Sequence, residues 1–414
     1  MTNKESNIVT ITGDSSWWSR VLRALLYSHE KSSGDSTSTS FLSCAFFDLD
    51  DEGTTISSES ATSTAAITVN SGDDVVTAGN GKFLVPISSL NQYVSSMPSG
   101  DVTLEFNSDD MEYTVTNDTR SVQFSAGLVE IISEDMTPQA DTGFPEEAET
   151  VTVDGAELID AYRSSSTMAL PIEKDPLSGQ DPMAGCYVVV NDDGIQMFSL
   201  SVSAAESLVY VPSERTTSSL ITAPNTTLPR FGVFSNSENT NLAIINNMLH
   251  IGDGSIHMVL TPLNTGERKV RITVDQIMKV MDPAWKAGVV DISLPSQEFF
   301  TALNRADSVG DRHVEVEVTD TSLTLSATGK NNSTVPFKQK MTCSTVWLDD
   351  ADHWLSFKFH IDTVKSLSST VGKREMLRFR VSLKPNGQPW AMVIITDEHD
   401  DENPHDYQMI SLTK

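Results

Sequence analysis

The stretch most suggestive of chemistry is Asp48-Leu-Asp-Asp-Glu-Gly53, with Glu59 eleven residues after Asp48. Its oxygen donors nearly meet the spacing of an EF-hand calcium loop. Such a loop needs a helix on both sides, whereas Phe41–Phe47 and the Ser/Thr-rich stretch beyond Gly53 have strand-like composition, so the segment is expected to be a hairpin turn without metal. The eight histidines form no HExxH pair. His250 and His257 flank Gly252-Asp-Gly254 in a strand–turn–strand pattern, and His399 and His405 lie in an acidic loop. Cys44, Cys186 and Cys343 are odd in number, far apart and within strand-like runs, which excludes a disulfide framework and a cysteine zinc site. There is no Walker loop, no GxSxG elbow and no GxGxxG. The expectation is a protein that is not an enzyme and needs no cofactor.

Charge excludes less than it first suggests. The chain has 414 residues, 28 basic and 57 acidic, for a net charge of −29. That total argues against nucleic acid, because phosphate binding needs clustered Lys and Arg. The placement of the basic residues therefore matters more than their sum. No apolar run approaches the roughly 18 residues that span a membrane. Met1–Ser6 lacks the basic-then-apolar order of a signal peptide, so a cytoplasmic protein with no membrane partner is expected.

The elements that would position any site come from an internal repeat. Ile8–Asp14, Val151–Gly155 and Val290–Leu294 are β-type runs starting about 140 residues apart. Each is followed by an amphipathic helix, over Trp17–Tyr27, Glu157–Ser165 and Gln297–Ala306. Trp18, Val21, Leu22, Leu25 and Leu26 form the apolar stripe of the first; Phe299, Phe300 and Leu303 form that of the third, with Ser296 as the expected N-cap. A hairpin pattern follows each helix, at Cys44–Ile56, Cys186–Met197 and Val314–Leu325. A second strand–helix–hairpin unit lies half a period on: Lys82–Ile87 leads into Ser88–Ser96, and Leu355–Ile361 into Asp362–Ser369. In the middle third, Pro224, Pro229 and Gly232 predict a short or broken helix. The reading is α+β, with each third two β-α-β-β-β units. Ser133–Glu149, with six acidic residues and two prolines, reads as a linker, giving domains over 1–135, 150–282 and 288–414.

This doubled and tripled pattern resembles the bacterial DNA polymerase III β subunit family, the sliding clamps. The resemblance is carried by Gly81-Lys-Phe-Leu-Val-Pro-Ile-Ser-Ser-Leu90, Met97-Pro-Ser-Gly-Asp101, Arg120-Ser-Val-Gln-Phe-Ser-Ala-Gly127, Asp135-Met-Thr-Pro138 and the stretch from Val290 to the C-terminus. It implies three tandem clamp domains and a head-to-tail homodimer closed as a ring. Antiparallel sheets would lie outside, with helices lining a central hole around duplex DNA. It also implies tethering of the replicative polymerase, and contact with a clamp loader, through a short clamp-binding peptide.

On that resemblance the lumen would be lined by Arg20, Arg23, Arg163, Arg230, Arg305, Lys365, Lys373 and Arg374. The acidic clusters at Asp48–Glu52, Glu134–Glu149, Asp349–Asp352 and Asp397–Glu402 fall in turns and linkers. The peptide groove would be walled by Met183, Ser203, Ala205, Leu208, Val274, Met278, Met409, Ile410 and Leu412. Where the family usually has Thr-Asp-Gly-His-Arg-Leu, this chain has Ser203-Ala-Ala-Glu-Ser-Leu208, a departure that leans towards a phage-encoded member. The alternative reading of the same residues is an acidic, repetitive, β-rich structural or protein-binding protein that does not encircle DNA.

Overall fold

A computed structural model describes residues 8–28, 43–50, 53–60, 63–69, 75–107, 109, 112–118, 120–125, 140–166, 169, 184–191, 194–200, 205–212, 219–224, 231–263, 279, 283–309, 312–328, 336–348, 353–369, 371–395 and 406–412. The architecture is α+β: among these residues, four antiparallel sheets and five α-helices of six residues or more. Contacts divide the chain into two units. One comprises Met1–Ile159 with Thr226–Pro262, the other Asp160–Asn225 with Leu263–Lys414.

The first unit contains two sheets. The smaller is ordered β5 (Val75–Ala78), β1 (Ile8–Asp14), β7 (Asp101–Asn107), β8 (Glu112–Asn117), β9 (Arg120–Ser125). The larger runs β10 (Val151–Val153), β15 (Thr240–Ile245), β16 (Met248–Gly252), β17 (Ile256–Leu260), β4 (Ser63–Val69), β3 (Gly53–Ser60), β2 (Cys44–Asp50), β6 (Gly81–Pro86). Asn246 and Asn247, both at positive φ, make the tight turn between β15 and β16. Helices α1 (Ser15–Tyr27) and α2 (Ile87–Ser96) pack together beside these sheets. Trp18, Val21, Leu22 and Leu25 are fully buried, as their spacing predicts, while Leu26 is only half-buried. The Trp18 indole N–H donates to the Val102 carbonyl at 2.9 Å, fixing α1 to β7. Phe47, Phe83 and Phe106 stack in series at centroid spacings of 4.9 and 4.3 Å. Helix α3 (Gly155–Ser166) starts here, where Gly155 is required: a Cβ would stand 1.8 Å from the Phe234 carbonyl oxygen.

The second unit also has two sheets. The larger runs β14 (Ser219–Pro224), β11 (Gly185–Asn191), β12 (Gly194–Leu200), β13 (Ala205–Pro212), β26 (Asp406–Ser411), β25 (Pro389–Ile395), β24 (Met376–Leu383), β18 (Gly288–Pro295), β22 (Ser344–Trp347). The smaller runs β21 (Phe337–Thr342), β20 (Ser322–Ala327), β19 (His313–Thr319), β23 (Trp354–His360). Ser165 near the end of α3 donates to Ala161 and Met197 carbonyls at 2.7 and 3.1 Å, anchoring that turn on β12. Helix α4 (Ser296–Ser308) buries Phe299, Phe300 and Leu303, and α5 (Ile361–Ser366) runs into a 3-10 turn at Leu367–Ser369.

One expected cap is corrected. Ser296 is the first residue of α4 and not its cap: β18 runs straight into the helix through Pro295, and no side chain caps the turn. The Ser296 hydroxyl is buried without a partner among the described residues, while its N–H donates to the Glu375 carbonyl at 3.1 Å.

A pairing rule recurs three times. The opening strand of each third pairs with a strand of its second unit, as β1–β7, β10–β15 and β18–β24. The strand that opens the second unit pairs back onto the first hairpin, as β6–β2, β14–β11 and β23–β19. The middle third obeys the same rule; the residues described just before β15 include a 3-10 turn at Gly232–Phe234, and the expected helix breakers Pro224 and Gly232 stand on either side of residues 225–230, which lie outside the described ones. Strands β5 and β22 have no counterpart in the sequence reading; each adds an edge beside an opening strand.

Candidate nucleic-acid interface

The five helices contain five basic residues, Arg20, Arg23, Arg163, Arg305 and Lys365, and five acidic ones, Glu157, Asp160, Glu298, Asp307 and Asp362. Their charge sums to zero, so the surplus of 29 carboxylates lies outside them. The accessible face of α2 carries no charge, presenting Ser88, Gln92, Ser95 and Ser96.

Helix α1 begins at a firm cap. Asp14 accepts from the Trp17 N–H at 2.6 Å and the Ser16 hydroxyl at 2.7 Å, bonds that hold its carboxyl below the usual range. One turn on, its two arginines part ways. The Arg20 Nε donates to the Val233 carbonyl at 3.1 Å, and its terminal nitrogen pairs with Asp253, whose side chain is 6% exposed. The other Asp253 oxygen accepts from the Ser255 and Ile256 N–H groups at 3.2 and 3.0 Å. Arg20 is thus committed to holding α1 against the 253–256 turn. Arg23 is exposed and has no ion pair or hydrogen bond among the described residues. It opens on a cleft of ≈ 440 Å³ that Ser16, Ser19, Asn236 and Ser237 also line. Such a setting offers an anion one full charge and several hydroxyl or amide donors.

The other basic residues expected at a lumen are more scattered. Arg163 pairs with Asp160 one turn away at 2.8 Å, both well exposed. Arg305 is exposed and donates to Gln339 at 3.3 Å. Lys365 joins α5 to α4 through Asp307 at 2.5 Å. Lys373 is exposed and Arg374 half-buried in the turn after the 3-10 segment; Arg230 lies outside the described residues. Asp253 escapes sequence reasoning because it pairs with an arginine 233 positions away, and nothing local marks it.

The residues assigned to a peptide groove are only partly within the described structure. Met183, Ser203, Val274 and Met278 lie outside it. Ala205 and Leu208 are on β13 and Met409 on β26, adjacent strands in which Ala205 pairs with Ile410 and Leu208 with Tyr407. Ile410 and Leu412 are core side chains, 1% and 7% exposed.

The other chemistry-bearing residues have structural surroundings. Asp48 and Asp50 end β2 in a hairpin with β3, Gly53 N–H donates to Asp50 at 3.0 Å, and Lys82 pairs with Asp48 at 2.7 Å. A strand on either side is not an EF-hand. His250 and His257 are buried, ring centroids 5.3 Å apart, under Phe144 of the acidic linker. Burial lowers both, His250 to about 4, and His257 Nδ1 donates to the Asp141 carbonyl at 2.8 Å. His399 and His405 lie outside the described residues. Burial raises all three thiols, Cys343 to about 11, which keeps them protonated and unreactive. No described helix is long and apolar enough to cross a membrane.

No protein-family model and no curated protein matches this sequence. Solved structures do match it over nearly its whole length, and they define its class: the chain has the sliding-clamp fold. Within that class it is similar to bacterial DNA polymerase III β subunits. The one from Streptococcus pyogenes has a TM-score of 0.72 at 14% identity, covering 98% of this chain and 100% of that one. The one from Thermotoga maritima has a TM-score of 0.72 at 12% identity, covering 98% and 99%. A sliding clamp from Pseudomonas aeruginosa bound to griselimycin has a TM-score of 0.73 at 10% identity, covering 98% and 99%.

Proposed function

We propose that this chain is a non-enzymatic DNA sliding clamp: two copies close head to tail around duplex DNA and tether a replicative polymerase. The observation that carries the reading is a pattern of satisfied and unsatisfied strand edges. In four of the six half-repeats, the last strand pairs with the last strand of a half-repeat in another third. In this way β4 meets β17 within the first unit, and β13 meets β26 within the second. Two last strands remain, β9 and β21, each paired on one side only among the described residues. They belong to the first and last thirds. A second copy placed head to tail would join β9 to β21 twice and continue the same rule around a ring of six domains, over 1–135, 150–282 and 288–414 in each copy. Closure also removes two exposed edges that would otherwise invite aggregation.

The charge pattern supports the same reading. A ring holds DNA by enclosure, so its lining needs little phosphate affinity and must not repel. Helices of zero net charge with isolated arginines, in a chain of −29, satisfy that condition. Partner proteins, a polymerase and a loader ATPase, would dock by a short peptide near the β13–β26 seam.

The test is oligomeric state with DNA topology. Sedimentation should give a dimer. With its matching loader, the protein should stay on nicked circular DNA and run off once the circle is cut. A monomer, or equal loss from both templates, sinks the proposal in favour of an acidic binding protein.

A further inference from the structure

We infer that residues 140–149, just before β10, form an acid-released strap: Asp141 and Phe144 hold it over His250 and His257, and protonation of those two imidazoles frees it while the sheet beneath stays folded. Burial of the hairpin is the first sign. His250, Gly252, His257 and Val259 share one face of β16 and β17, and the alternate residues Leu249, Ile251, Met258 and Leu260 take the other. All eight are buried. An antiparallel hairpin buried on both faces needs a cover on each. Over the histidine face that cover includes Phe144, edge-on to His257 with ring centroids 4.9 Å apart and 6.4 Å from His250. A Cβ on Gly252 would stand 3.2 Å from both Phe144 Cε2 and His257 Cδ2, so the missing side chain makes room for the ring.

The hold is slight. Residues 140–149 join no strand ladder, and only Ala140, Phe144 and Ala148 among them are shielded from water. Their tie to the hairpin is the bond that His257 Nδ1 donates to the Asp141 carbonyl at 2.8 Å. Loss of the strap therefore breaks no strand pairing. Few apolar contacts and a largely exposed backbone are the marks of a segment that opens locally.

Charge makes that opening depend on protons. Both ring nitrogens of His250 and the Nε2 of His257 are buried with no hydrogen-bond partner among the described residues. Directly across from His250 stand Ala243 on β15 and Val259 on β17, and across from His257 stand Gly252 on β16 and Ala66 on β4, none of them charged. Asp253 in the turn is committed to Arg20 and to the Ser255 and Ile256 N–H groups. On the strap, Asp141 attracts a charge on either ring, but its side chain is exposed, as are Glu146, Glu147 and Glu149. A second N–H on either ring thus finds no acceptor, and two imidazolium rings 5.3 Å apart would repel. The freed rings take up protons near 6.5, whereas the covered ones do so only at lower pH. Opening therefore grows as pH falls below 6.5 and levels off near 4, where His250 charges in place. Every group involved lies in the first unit, so the inference does not depend on ring closure.

The test places para-fluorophenylalanine at Phe144 alone in the full-length protein and follows its fluorine resonance from neutral pH to about pH 4. Circular dichroism records the sheets in the same samples. The resonance should pass reversibly from a buried to a solvent-exposed position, read by its deuterium solvent isotope shift, while the dichroism holds. Around pH 5 the opening constant should rise by about a hundredfold per pH unit as two protons enter together, and by about tenfold in His250→Leu. If that variant does not fold, the Cε1 proton resonances of His250 and His257 in the unaltered protein decide: they should titrate in step with the fluorine signal. A label that stays buried until the sheets are lost overturns the inference. So does release of equal steepness in His250→Leu, which would assign it to carboxylates, or histidine resonances that do not titrate where the strap opens.

Discussion

The base of α1 and the outward faces of the helices use arginine for opposite ends. At the base, Arg20 is locked onto a nearly inaccessible Asp253 and a backbone carbonyl. On the faces, Arg23, Arg163 and Arg305 stand in water, the last two with exposed polar neighbours. The difference is not in residue type or helix position, since Arg20 and Arg23 are three residues apart. It lies in what is buried opposite. A carboxylate removed from water makes its partner structural, while an arginine with no buried partner keeps its charge available to phosphate.

The comparison can be broken most severely at Asp253. Asp253→Ala should destabilise the protein by about 3 kcal/mol in denaturant unfolding, because it strands Arg20 and frees two turn N–H groups. Arg20→Ala should cost about 2 kcal/mol, since the carboxylate it leaves behind keeps its two N–H donors. A variant carrying both changes should be less unstable than the sum, and additivity would refute the coupling.

A second effect of similar size comes from the two histidines beneath Phe144. Both are held neutral when folded, whereas the unfolded chain takes up their protons near 6.5. As pH falls below 6.5 the unfolded state therefore gains protons first. Stability should be full above that point and decline by about 2 kcal/mol as pH approaches 4. His250→Leu should flatten that slope; an unchanged slope would place the acid sensitivity elsewhere.

The smallest effects should come from the exposed faces. Arg163→Ala and Arg305→Ala should each change stability by less than about 0.5 kcal/mol. Arg23→Ala should do the same, yet lower the salt dependence of DNA association by about one ion if its charge meets phosphate. If Arg23→Ala unfolds the protein and Arg20→Ala does not, the contrast between them is wrong.

The helices were legible because their apolar spacing is local: Trp18, Val21, Leu22 and Leu25, or Phe299, Phe300 and Leu303, state their inward face within a few turns. Hairpins were legible from their turn residues, and the repeat from its period. Ser296 misled for the same local reason. A serine before an apolar stripe is the usual cap pattern, but here the strand enters the helix without a loop.

The sequence by itself determined the class of fold, the repeated pattern of elements and the helices on which Arg20, Arg23, Arg163, Arg305 and Lys365 lie. Only the tertiary structure decided which strands join across the thirds, and that Arg20 is structural while Arg23 has no partner among the described residues. The physical reason is range. Periodicity and turn chemistry act between residues a few positions apart, so they are written along the chain. Strand partners and buried counter-charges act between residues hundreds of positions apart, and they exist only once backbone pairing has brought them together.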